Sequence, residues 1–83
     1  MIKEVEKNAI VDRSLDVRGR DCPVPALEAR RVLDQMQPGQ VLEVQATDPL
    51  AAVDLQILCE RLGHEPLGHA EQAGVLRFRI RVS

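Results

Sequence analysis

The stretch Val75-Leu-Arg-Phe-Arg-Ile-Arg-Val82 alternates without a break: Leu76, Phe78, Ile80 and Val82 are apolar, and Arg77, Arg79 and Arg81 are cationic. Successive side chains of a strand point to opposite faces, so this run folds as a strand with one face buried and the other in water. A sheet covered by helices on both faces would ask for strands that are apolar throughout. The chain is therefore constrained to a sheet with a single covered face.

The preceding residues supply the cover. Arg13 to Arg18 alternates, with Leu15 and Val17 on one face, and stops at Gly19. From Pro23 to Met36, Leu27, Ala29, Val32, Leu33 and Met36 fall near helical spacing while charged residues fill the gaps, which predicts an amphipathic helix. Gln37-Pro38-Gly39 ends it. Val41 to Ala46 reads as a second strand. Asp48-Pro49 then opens a second helix with the core stripe Ala51, Leu55, Leu58, Cys59 and Leu62, and Gly63 closes it. His64 to Ala70, broken by Pro66 and Gly68, suits an edge strand, and Ala73-Gly74 turns the chain into the final one. The order is βαβαββ, and both helices are expected on one face of a four-stranded mixed sheet: a two-layer α/β sandwich. Residues 1–12 show no sustained period and read as a flexible lead-in to one domain, 13–83.

Composition narrows the function classes. With one Phe and no Trp or Tyr, the 83-residue chain lacks the aromatic platform on which single-stranded nucleic acid stacks, and its formal charge of −2 gives no general pull toward phosphate. Nucleic acid is therefore not the expected partner. No apolar run approaches membrane-spanning length and the first residues are highly charged, so a cytoplasmic protein without a membrane partner is expected. Cys22 and Cys59 match neither a C-x-x-C pair nor a zinc spacing, which predicts two free thiols and no metal. His64 and His69 have no partner at ligand or triad spacing and read as surface or edge positions. Cys59, on the core stripe of the second helix, reads as inert packing.

Cys22 is different. The two strand-to-helix junctions are built alike, Asp-Cys-Pro-Val-Pro at 21–25 and Thr-Asp-Pro-Leu-Ala at 47–51. If Asp48 is an N-cap with Pro49 at the first helical position, superposition puts Cys22 at the other N-cap. A thiolate there would accept from free backbone N–H groups, Val24 N–H being the nearest, and would feel the positive end of the helix dipole. Arg18 and Arg20 favour the thiolate and Asp21 opposes it, so a moderately lowered thiol pKa is expected.

The run Leu15-Asp16-x-x-Gly19-x-x-Cys22-Pro23-x-Pro25, followed by Met36-Gln37-Pro38-Gly39 and Asp48-Pro49, resembles the TusA/SirA-like sulfur-carrier proteins over residues 15–82. The resemblance implies the same two-layer sandwich and a sulfurtransferase-type carrier without a cofactor. In it Cys22 accepts a sulfane sulfur as a persulfide and hands it to a partner protein, with Gly19, Pro23 and Pro25 supporting the motif. It also implies that Arg30 and Asp48 lie near the surface that meets a cysteine desulfurase, or another sulfur donor, and a downstream acceptor. Arg20, where many members carry Leu, adjoins the sulfur and is assigned to that surface. The alternative from another class is a regulatory or nucleic-acid-binding module using the open sheet face at Arg77, Arg79 and Arg81. The plainer expectation for those arginines is pairing with Glu43 across the sheet.

Overall fold

The computed structural model describes residues 10–83, so most of the expected lead-in lies outside the described residues. The elements follow the order read from the sequence: β1 (Arg13–Asp16), α1 (Val24–Leu33), β2 (Val41–Ala46), α2 (Ala51–Leu62), β3 (Glu65–Gln72) and β4 (Val75–Arg81). The sheet order is β1-β2-β4-β3; β1 runs parallel to β2 and the other pairings are antiparallel. The chain joins the sheet at Asp12, one residue before the expected boundary, where its N–H donates to the Val41 carbonyl at 2.8 Å and its carboxylate accepts the Val41 N–H.

Both helices cover one face. Ala29 and Leu33 of α1 and Ala51, Leu55 and Cys59 of α2 pack on Leu42, Val44 and Ala46 of β2 and on Leu76, Phe78 and Ile80 of β4 in one buried cluster. Each fully buried side chain of Leu or Phe size stabilises by about 1.5–3 kcal/mol. Leu27 departs from the expected stripe and is 59% exposed. Pro25, Ala29 and Leu33 set the buried face of α1 at steps of four, and Leu27 stands two residues from Ala29, roughly 200° around the helix.

The helix ends follow local chemistry. After Leu33 the backbone tightens through i→i+3 bonds, Gln35 N–H to Val32 and Met36 N–H to Leu33, so α1 is shorter than the periodicity predicted. Gly63 closes α2 in the left-handed region at φ 78°, its N–H donating to the Cys59 carbonyl at 2.9 Å. On the open face, buried Glu43 accepts from Arg77 and Arg79, both at 3.1 Å, and Arg81 pairs with Glu65 at 3.2 Å. Arg77 and Arg79 thus pair with Glu43 as the plainer expectation had it, while Arg81 takes Glu65 of the edge strand instead.

Candidate functional site

Because β1 and β2 are parallel neighbours, the chain leaves both at the same end of the sheet and the two β-to-α junctions lie side by side. Two hydrogen bonds stitch them together. Gly19, in the left-handed region at φ 81°, donates its N–H to Thr47 Oγ1 at 2.8 Å. Cys22 N–H donates to Asp48 Oδ2, and the other oxygen of that carboxylate accepts from Leu50 N–H at 3.1 Å. Asp48 therefore belongs to both junctions at once.

Neither expected N-cap holds. Pro23 occupies the cap of α1 and Leu50 that of α2, without a side-chain cap hydrogen bond at either, so Cys22 and Asp48 both lie before the caps. The Cys22–Pro23 peptide is cis, and Pro25 is buried at the second helical position. Val24 N–H, the donor expected nearest the sulfur, is taken by the Asp21 carbonyl at 2.8 Å. The exposed Cys22 thiol donates instead to Asp54 Oδ2 at 2.8 Å, a carboxylate in the first turn of α2.

This reverses the expected electrostatics. The Cys22 thiol is pushed up to about 11 from an ordinary 9.0, first by the hydrogen bond to Asp54, then by burial and by the charges of Asp54 and Asp48. A helix-end thiolate is not the resting state. Arg18, expected to favour one, spends its guanidinium on Asp16 at 2.9 and 2.8 Å and holds that carboxyl at about 2. Arg20 is exposed on the same loop, its N–H donating to the Val17 carbonyl at 3.1 Å.

Beside the thiol the two helices leave a groove of about 230 Å³. Pro23, Leu27 and Arg30 line it from the α1 side, and Asp54, Ile57 and Arg61 from α2. Leu27 and Ile57, 59% and 43% exposed, give its lining an apolar part, and Arg30 and Arg61 give it two cations. Arg30 thus lines the same groove as Pro23, next to Cys22 in the chain, and Asp54, the partner of its thiol. Asp54, Ile57 and Arg61 are additions that the sequence reading did not single out.

The remaining candidates lie elsewhere. Cys59 is fully buried, and its thiol is pushed up to about 11 by burial and then by the charge of Glu60. His69 stacks on Phe78 with ring centroids 5.4 Å apart, and His64 Nδ1 accepts from Ser83 N–H at 3.1 Å. Among the described residues no group of three or more His, Cys, Asp or Glu could hold a metal, and no helix is long and apolar enough to cross a membrane.

Residues 13–82 match the family model described as sulfurtransferase TusA. The chain belongs to the TusA family. It is 48% identical over 68 residues to a putative sulfur carrier protein of Neisseria meningitidis serogroup A, covering 82% of this chain and 92% of that one. It is also 39% identical over 72 residues to the sulfur carrier protein TusA of Allochromatium vinosum, covering 87% and 95%. Among solved structures, the SirA-like protein of Desulfitobacterium hafniense superposes with a TM-score of 0.78 at 25% identity, covering 86% of this chain and 97% of that one. The TusA-family fold is thus the two-layer α/β arrangement described above.

Proposed function

We propose that this TusA-family chain carries sulfane sulfur as a persulfide on Cys22, taking it from a donor protein such as a cysteine desulfurase and passing it to an acceptor protein. The observation that carries the reading is the exposed Cys22 thiol, hydrogen-bonded to Asp54 of the Leu27/Ile57 groove, in a chain whose relatives are named sulfur carriers. In loading, Cys22 Sγ attacks the outer sulfur of the donor's persulfide. A new S–S bond forms, the donor's S–S bond breaks, and the donor sulfur departs with the electron pair and takes up a proton. Thiol and persulfide exchange places, so no external oxidant or reductant is consumed. Hand-off is the same step with the acceptor's thiolate as attacker and Cys22 as leaving group.

The groove suits a protein partner. An apolar lining with Arg30 and Arg61 in it offers hydrophobic anchorage with cationic orientation, Asp48 holds the Cys22 N–H, and exposed Arg20 stands two residues before Cys22 in the chain. The open sheet face gives less support to the nucleic-acid alternative, since Arg77 and Arg79 share Glu43 and Arg81 pairs with Glu65. The test is intact mass after incubation with a desulfurase and cysteine. Gain of one sulfur atom by the native chain and none by Cys22→Ser is expected; equal gain by both would refute the assignment to Cys22.

A further inference from the structure

The Cys22 thiol is not simply displayed to solvent. Asp54 Oδ2 stands 2.8 Å from its sulfur, and Asp48 holds the backbone N–H of the same residue. A thiolate in that place would be an anion in contact with a second, the Asp54 carboxylate, with a third, that of Asp48, on the N–H of the same residue. The contact survives only while a proton lies between sulfur and oxygen. The charged groups around the sulfur are Asp54 from α2 and Asp48 from the second junction, with Arg20 and Asp21 on its own loop and Arg30 and Arg61 across the groove.

We propose that Asp54 is a second residue of the sulfur site, holding the unloaded Cys22 as a hydrogen-bonded thiol and so keeping it slow toward small electrophiles. This rests on the carrier reading above and adds selectivity to it. A carrier that must receive sulfur from one protein and deliver it to another gains nothing from a thiol that reacts with every electrophile it meets. Asp54 also lines the groove, so the residue that restrains the sulfur lies on the surface where a donor would dock. The upward displacement of the thiol's titration, with Asp54 as its largest cause, agrees with the geometry.

Iodoacetamide alkylation of Cys22 against pH, followed by peptide mass in native, Asp54→Asn and Asp54→Glu chains, tests this. Burial and the Asp48 charge also raise the thiol, so Asp54→Asn should bring it only part of the way from about 11 toward 9.0. Full return would multiply the thiolate at neutral pH roughly a hundredfold and, with the lower intrinsic reactivity of a less basic thiolate, the rate roughly tenfold, so a gain of several-fold up to about tenfold over native is expected. Asp54→Glu, which keeps the carboxylate, should fall back toward the native rate. An Asp54→Asn profile that overlays the native one, or moves to higher pH, overturns the proposal. Thiolate absorbance of the Cys59→Ala chain, which keeps Asp54 and leaves Cys22 as the one thiol, reads the same quantity: a Cys22 midpoint above the ordinary value is expected, and one at or below it overturns the proposal. The two readings fail separately. A native chain that takes no sulfur from a desulfurase refutes carriage, whereas a chain that loads normally but alkylates independently of Asp54 refutes the proton-holding role.

Discussion

Cys22 and Cys59 both keep their protons up to about 11, and they do so for different reasons. Cys59 is fully buried on the core face of α2, and the low polarity around it disfavours the anion. Cys22 is exposed and is held first by one carboxylate, Asp54, at 2.8 Å. Burial can be undone only by opening the core, which costs the protein much of its stability. A hydrogen bond on an exposed loop can be undone by moving one side chain. The same titration therefore marks an inert thiol in one place and a restrained one in the other, and the cause of the shift separates them.

The sharpest way to break this comparison is to remove each sulfur in turn. Cys22→Ser should abolish sulfur loading completely with little change in thermal midpoint, since a serine hydroxyl can still donate to Asp54 and the residue is exposed. Loss of loading together with a large fall in melting temperature would mean that Cys22 is structural. Cys59→Ala should do the opposite. Loading is retained, and stability falls by about 1 kcal/mol, read as a melting decrease of about 4–8 °C for a domain of this size.

The buried thiol also has a pH signature. Its folded pKa is raised, so its contribution is fully present below 9.0 and is lost as pH climbs through about 11. Chemical denaturation across that window should show the native chain losing stability relative to Cys59→Ala. A constant difference across it would mean that the Cys59 thiol is not shielded. The smallest effect is expected beside Cys22. Asp21→Asn should lower the alkylation midpoint by a few tenths of a unit, well short of the Asp54→Asn shift, because Asp21 is exposed and is not among the groups that displace the thiol. Equal shifts from the two variants would remove Asp54 from its special place.

Much of the fold was legible because it rests on period. The alternation of β4, the stop at Gly63 and the broken edge strand around Pro66 and Gly68 each follow from backbone geometry that acts locally, and each is found within a residue or two of its expected place. Leu27 was misplaced for want of the same arithmetic, since it cannot share a helix face with Ala29. The environment of the site was less legible. Cys22 stood out from its proline-flanked context, but its partner Asp54 lies 32 residues away, and the two meet only because β1 and β2 pair in parallel. That pairing was the available signal. It sets the second junction beside the first, so an acidic side chain in the first turn of α2 becomes a candidate neighbour of the thiol. Likening the two junctions instead suggested two equal N-caps, whereas Asp48 bridges the junctions and caps neither helix.

The central claim, that one of two equally proton-bound thiols carries sulfur, is tested most directly by locating the sulfur. Cleavage after arginine puts Cys22 in the peptide 21–30 and Cys59 in the peptide 32–61. After incubation of the native chain with a desulfurase and cysteine, and trapping of persulfides, peptide 21–30 should carry one added sulfur atom and peptide 32–61 none. Added sulfur on peptide 32–61, or on neither peptide while the desulfurase turns over, would contradict carriage by Cys22.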